Sequence, residues 1–442
     1  MINTSYKSIL RLAAPMALSM LMQNIVFLVD TAFVSRLGES ELGGVGLGSL
    51  LYIVFFFIGY GFNAGMQVIV GRRNGEGRLA EIGTTFDRNL ILLIPLSLIL
   101  WSTLQFLSPL VMPHLVDSPE VLSNTLEFNQ WRCNGIFFGL FNSAVNAYFI
   151  GVGNTRPVGY STIVLAATNI FLDWILIFGH FGFEAMGVKG AAIATMLAEV
   201  AATIFNLIYI FQMGYRKKFS LFHFRKPEDG FTKKLLALSA PIMAQQVIAF
   251  AAWFSFFLFI ENLGKHALAI SNILRSLYFI CAIPVWALGS ATNSTISNLL
   301  GKGRSEEVIR FVWKVAWLCF GIVAAIFLTL MIFHPWVMLV YTNDPRIIAD
   351  SFAPFLTVGV ALAGAAFAVI FLQTITATGS TGFILLSEIV SIIIYIAYAL
   401  LVTKVIHASL AIIWGTEVIY WISIFTIMLL FLYRGNWAKK KL

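Results

Sequence analysis

Residues 214–234 read GYRKKFSLFHFRKPEDGFTKK, and this stretch decides how the rest of the chain divides. It is the one long polar connection in a sequence of 442 residues that is 59% apolar and only 11% charged. A water-soluble domain carries ~45–50% apolar and ~25% charged residues, so the charges here are too few to coat a surface in water. At ~20 residues per bilayer crossing, the apolar share supplies about a dozen helices. The chain reads as an all-α polytopic membrane protein.

Working outward from the polar stretch, hydrophobic runs on its N-terminal side fall near 9–35, 42–70, 88–113, 121–150, 157–180 and 187–213. On its C-terminal side they fall near 232–260, 267–298, 308–338, 346–377, 382–405 and 410–433. Six crossings flank each side, which gives an N-lobe over 1–213, a cytoplasmic linker over 214–231 and a C-lobe over 232–442. The first run is too long for a signal-peptide core and lacks a small-x-small cleavage site, so it reads as a retained first helix. Cys133, Cys281 and Cys319 lie inside apolar runs and are odd in number, which argues against a disulfide framework.

A net charge of +8 need not mean nucleic acid, because the basic residues lie mostly between hydrophobic runs. With both termini cytoplasmic, 22 of the 29 Lys and Arg fall on the inner side, among them Arg72, Arg73, Arg78, Arg156, the linker residues, Lys302, Arg304 and Lys439 to Lys441. The outer side holds only Arg36, Lys189, Lys265, Arg346 and Lys404. That bias is the positive-inside rule, and it predicts a multi-pass inner-membrane protein with no nucleic-acid partner.

The chain also repeats itself. Adding 226 carries Pro15 to Pro241, Leu37-Gly38 to Leu263-Gly264 and Leu51-Tyr52 to Leu277-Tyr278. The register continues from Gly75, Gly77, Arg78 and Glu81 to Gly301, Gly303, Arg304 and Glu307, and from Gly153 to Gly379. An even number of crossings per repeat makes both copies enter the membrane the same way round, as in parallel repeats related by an axis along the membrane normal. The expectation is twelve helices in two six-helix lobes around a central cleft.

Ionisable groups within a bilayer are costly and are functional candidates by default. Asp30 lies well inside the first run, and Asn169 and Asp173 stand at i, i+4 on the fifth, sharing one helical face. Ala191 and Thr195 have the same spacing on the sixth. Two carboxylates with amide, hydroxyl and backbone oxygens suit a small hard cation, while close carboxylates alternatively share a proton. The repeat places Phe256 and Ala399 opposite Asp30 and Asp173, so the second half lacks this constellation.

VDTAFVSRLG (29–38), GNTRP (153–157), TNIFLDWILIFG (168–179), GVKGAAIATMLAE (187–199), LSAPIMAQQ (238–246) and LLGKGR (299–304) resemble multidrug and toxic compound extrusion (MATE) transporters, of the bacterial type, in the MOP flippase superfamily. The resemblance implies the MATE fold and a secondary active antiporter that exports amphipathic, often cationic small molecules in exchange for H+ or Na+ by alternating access. It implies an ion or proton site at Asp30, Asn169, Asp173, Ala191 (through its carbonyl) and Thr195, with Na+ reached by Asp30, Asn169, Asp173 and Thr195. No cofactor is implied, and a monomer surrounded by membrane lipid is expected.

Other residues invite two readings each. Glu199, one turn past Thr195, is a proton relay or an interfacial residue, and Glu388 reads as a residue that reaches headgroups. Arg132 lies on a stripe with Gly135, Gly139, Asn142 and Asn146, and Glu127 is its expected partner; Asn142 and Asn146 are candidate substrate contacts. Arg275 is asymmetric in the repeat and either reaches the cleft or snorkels. Pro15 is a candidate hinge, since a proline inside a helix bends it. Forty Phe, eleven Trp and thirteen Met suit an adaptable drug cavity, although most face lipid or other helices.

An enzyme finds little support. All six His (His114, His180, His223, His266, His334 and His407) lie in loops or at span ends, and no HExxH-type spacing occurs. A lipid-linked oligosaccharide or lipid flippase of the same superfamily is the nearer alternative.

Overall fold

The structure is a computed structural model and describes residues 4–439; Lys440 and Lys441 of the basic tail lie outside the described residues. The long helices are α1 (Tyr6–Val34), α2 (Glu39–Glu76), α3 (Leu79–Ser102), α4 (Pro119–Arg132), α5 (Ile136–Gly151), α6 (Arg156–Phe178) and α7 (Gly187–Gln212). They continue as α8 (Phe231–Glu261), α9 (Lys265–Gly301), α10 (Val308–Ile332), α11 (Phe352–Thr378), α12 (Thr381–Leu400) and α13 (Leu410–Arg434). Short helical turns extend or join them, and no strand occurs among the described residues.

Among the described residues, eleven helical stretches are long and apolar enough to cross a bilayer. The expected fourth crossing, near 121–150, is interrupted: a 3-10 turn over Cys133–Gly135 divides it into α4 and α5. Its first half carries Asn124, Glu127, Asn129, Gln130 and Arg132, so neither half is both long and apolar. The interruption falls where Arg132 turns toward a buried partner, described below.

Three repeat-related glycine pairs take the same unusual backbone. Gly38 and Gly264, Gly77 and Gly303, and Gly153 and Gly379 all have positive φ, a region open to glycine because it lacks Cβ. Arg78 pairs with Glu81, and Arg304 pairs with Glu307 in the same i, i+3 arrangement. The 226-residue register is therefore one of conformation as well as of sequence.

Cα packing divides the chain into two compact units, 18–243 on one hand and 1–17 with 244–442 on the other. Each cut falls two residues past one of the equivalent prolines, Pro15 in α1 and Pro241 in α8. Within the first unit the start of α8 is held by Ser239 Oγ, which donates to the Phe62 carbonyl at 3.0 Å. Within the second, Lys314 Nζ donates to the Thr4 carbonyl at 2.7 Å and stands over the Tyr6 ring.

The polar linker is docked. Asp87 of α3, 1% exposed, accepts the backbone N–H groups of Phe222, His223 and Phe224 at 2.7, 2.9 and 2.8 Å. Phe222 and Phe224 have positive φ, and this local backbone turns consecutive N–H groups toward one carboxylate, an anion-binding nest.

Candidate ion and substrate site

Within the unit 18–243, Val34, Ile177 and Ala191 form one buried cluster, ringed by Phe33, Leu37, Val45 and Phe178. This contact joins the end of α1 to α6 and α7, and it brings the expected ion-site residues of those helices to one place. The side chains of Asp30 and Asp173 lie against each other. Asn169 Nδ2 donates to Asp173 Oδ2 at 3.1 Å and approaches Thr195 Oγ1 at 3.5 Å. Thr195 Oγ1 in turn donates to the Ala191 carbonyl at 2.9 Å, the back-bond that a threonine makes within a helix.

Three oxygens are left over. Asp30 Oδ1, Asn169 Oδ1 and Asp173 Oδ1 are each buried and have no hydrogen-bond partner. Asn169 and Asp173 are completely buried. A buried acceptor without a donor is costly, and three that belong to adjoining side chains are an arrangement that a proton or small cation would satisfy.

Asp30, Ala191 and Thr195 also line a cavity of about 710 Å³. Its walls come from α1, α2, α4, α5, α6 and α7, and they include the aromatic rings of Phe27, Tyr52, Phe56 and Tyr60. Asn142 and Asn146 both line it. Asn142 is committed to structure: its Nδ2 donates to the Glu199 carbonyl at 2.9 Å, and its Oδ1 accepts from Thr203 and Asn206. Asn146 Oδ1 has no partner, so of the two it is the one with an acceptor to offer a ligand.

Arg132 does not pair with Glu127. Its partner is Glu199, met through a two-bond fork at 2.7 and 3.2 Å. Arg132 Cζ stands 3.6 Å from the centroid of the Tyr52 ring, and both charged residues are buried cavity-lining groups. Glu199 is therefore not an interfacial residue. The small-residue stripe explains itself here, because a Cβ on Gly135 would collide with Arg132 Nη1 and Glu199 Oε2, and one on Gly139 would crowd Glu199 Oε1. The glycines make room for the pair, and the 3-10 turn over Cys133–Gly135 sits beside it.

In the other unit, Arg275 is half-buried over the Phe257 ring, 5.1 Å from its centroid. Glu388 reaches no headgroup: it is completely buried, accepting from Tyr420 OH at 2.6 Å and Gln245 Nε2 at 3.2 Å. Glu417, 3% exposed, accepts from Tyr395 OH at 2.9 Å. In the sequence Glu417 lies as shallow in its apolar run as Glu388 does, and unlike Asp30 its depth does not mark it as buried. Pro15 lies within the continuous α1.

The MatE family model matches residues 15–175 and again residues 241–401, two matches 226 residues apart. The probable multidrug resistance protein NorM of Thermotoga maritima is 26% identical over 366 residues, spanning 80% of this chain and 76% of the relative. The protein of the same name from Neisseria meningitidis is 25% identical over 346 residues, 76% and 74% of the two chains. Among solved structures, a MOP superfamily transporter from Pyrococcus furiosus aligns with a TM-score of 0.87 at 22% identity, covering 98% of this chain and 97% of that one. A Vibrio cholerae MATE transporter aligns with the same TM-score at 17% identity, covering 98% of each. At these identities the structural likeness speaks to the fold, and the fold is the MATE fold. Matched by the family model in both halves of its sequence, the chain belongs to the MATE family of membrane transporters, proteins that move solutes rather than enzymes.

Proposed function

We propose that the protein is an ion-coupled multidrug efflux antiporter of the inner membrane, both termini cytoplasmic, exporting amphipathic small molecules in exchange for H+ or Na+. The observation that carries this reading is the set of unpartnered oxygens on Asp30, Asn169 and Asp173 beside a cavity of about 710 Å³. A cavity of that size suits a drug-sized ligand, and its aromatic lining suits amphipathic ones. The names of the NorM relatives support the same substrate class.

Asp30 belongs to both features: it lines the cavity and touches Asp173. A proton or Na+ arriving at Asp30, Asn169, Asp173, Thr195 and the Ala191 carbonyl neutralises the carboxylate that a cationic substrate would otherwise face. Ion and substrate then compete through one charge, which is what antiport requires. Asn146 supplies a polar contact for the substrate, and the Arg132–Glu199 pair keeps that wall electrically balanced. The balance counts against an anionic lipid-linked sugar as substrate, because Arg132 is already neutralised.

The test is a proteoliposome assay with imposed proton or sodium gradients, comparing the wild type with Asp30→Asn and Asp173→Asn. Loss of gradient-driven export in both variants is expected. Full export in both sinks the assignment, and movement of a lipid-linked sugar without drug efflux moves the protein to the flippase reading.

A further inference from the structure

Two acids outside the proposed ion site are buried in the unit that contains 244–442. Glu388 and Tyr395 lie on α12, and Glu417 and Tyr420 on α13. Their hydrogen bonds cross: the tyrosine of α13 donates to the glutamate of α12, and the tyrosine of α12 donates to the glutamate of α13. The two phenol rings meet edge to face with centroids 5.7 Å apart, so the carboxylates are joined through one aromatic contact. Gln245 of α8 closes the far side of Glu388.

Among the described residues no positive charge pairs with these acids. Neither glutamate belongs to an ion pair among the described residues, and the groups that influence them are tyrosines, a glutamine and the Trp421 indole. From α9 the facing titratable group is Tyr278, which accepts from Trp421 Nε1 at 3.0 Å, while Arg275 of that helix lies over Phe257. Two ionised carboxylates without a counter-charge are costly in such a setting.

The surroundings distinguish between occupants. Two phenol hydroxyls and an amide N–H donate to the two carboxylates, and among the described residues no further acid, His or Cys joins them in a metal-holding group. A metal cation asks for several oxygens with lone pairs turned inward. A proton asks only for the carboxylate and an acceptor for the O–H that results. Ser391 Oγ is completely buried and has no hydrogen-bond partner. In helical register it stands at i+3 from Glu388, on the α12 face that continues to Tyr395 at i+7.

We propose that Glu388 and Glu417 form a proton-binding site, each glutamate taking up one proton from water and returning it, distinct from the Asp30–Asp173 constellation. On uptake each carboxylate becomes a neutral carboxyl group that still accepts from its tyrosine. On release each carboxylate keeps its tyrosine donor, and no other bond is made or broken. The site does not rest on the coupling role proposed for Asp30.

The repeat gives independent support for a specialised position. Subtracting 226 takes Gln245 and Glu388 to Ser19 and Thr162, whose hydroxyls are hydrogen-bonded to each other at 2.6 Å. The same contact is thus made twice, once by two hydroxyls and once by an amide and an acid.

The experiment is infrared difference spectroscopy of the purified full-length protein during a pH titration across the neutral range. The protonated-carboxyl stretch in the wild type should contain components that disappear separately in Glu388→Gln and in Glu417→Gln. Tyr420→Phe and Tyr395→Phe preserve the acids and the packing volume, so each should keep both components, Tyr420→Phe displacing the frequency of the Glu388 component and Tyr395→Phe that of the Glu417 component. Asp30→Asn should leave both components in place, which keeps this test separate from that of the proposed coupling site. A titration spectrum identical to wild type in both glutamine variants overturns the proposal. So does loss of these components on adding Na+ at constant pH, which would assign the site to a metal cation.

Discussion

Removing the Glu199 carboxylate puts the construction of the cavity wall to a quantitative test. Arg132 and Glu199 are 8% and 7% exposed, and two hydrogen bonds at 2.7 and 3.2 Å hold them in the fork geometry that makes Arg–carboxylate pairs strong. Glu199→Gln conserves volume and one acceptor but leaves the guanidinium without a counter-charge. Breaking a buried pair from one side costs ~3–5 kcal/mol. The cation–π contact with Tyr52 survives the substitution, which places the expectation at about 3 kcal/mol, the low end of that range. For a unit the size of 18–243, ~2–4 °C per kcal/mol translates this into a fall of ~6–12 °C in Tm.

Replacing both members, in Arg132→Met with Glu199→Met, should recover much of the loss, since exchange of a buried pair for apolar side chains is often close to neutral. Cys133 gives the assay a local reporter: it follows Arg132 directly, is 1% exposed and carries a free thiol. Thermal unfolding in detergent followed with a thiol-reactive dye therefore reads the opening of this wall. The double-mutant cycle, closed by Arg132→Met and Glu199→Met made singly, isolates the pair term from the rest of each substitution. If Glu199→Gln melts within about 1 °C of wild type, far below the expected shift, or if the two single effects simply add, the pair does not support the wall.

Gly135→Ala should also destabilise, by ~1–3 kcal/mol, because its Cβ would meet Arg132 and Glu199. Gly321→Ala inside α10, where an added Cβ meets nothing within 4 Å, should stabilise by ~0.5–1 kcal/mol, and the same melts compare the two. Asp87→Asn removes the charge that gathers three linker N–H groups; limited trypsinolysis should then cut after Arg225 sooner than in wild type, and an unchanged rate would mean that the linker is held by other contacts. Pro15→Ala should slow transport and alter its pH dependence in proteoliposomes, and a variant unchanged in both removes Pro15 as a hinge.

The parts of the fold governed by local rules were legible in the sequence. Hydropathy located the crossings, and the 226-residue offset announced the paired glycine conformations. The exception was the stretch near 121–150, whose break lies beside Arg132 and the carboxylate it meets 67 positions away, a contact no local window contains. The proposed ion site was legible for a related reason: Asn169 with Asp173 and Ala191 with Thr195 are i, i+4 pairs, so half of the geometry is set within single helices. Glu199, Glu388 and Glu417 were not, because their meaning lies in partners on other helices. Depth along a span is the same for an acid that reaches headgroups and one that accepts from a buried tyrosine.

The repeat sharpens where function should be sought. Equivalent positions keep the backbone, as Gly77 and Gly303 or Gly153 and Gly379 show, and yet differ in chemistry at a few places. Asn169, beside Asp173, corresponds to Tyr395, which donates to Glu417. Ser19 and Thr162 correspond to Gln245 and Glu388. Had these acids served only to stabilise helix packing, an exchange of hydroxyls, which make the same contact in the other half at no charge cost, would have sufficed. An acid retained where a neutral pair already works points to a use for its proton. The same reasoning applies to Asp30 and Asp173, whose equivalents Phe256 and Ala399 are apolar and completely buried. Each half thus carries acids where its counterpart carries none, and variants that neutralise one set should leave the titration of the other intact.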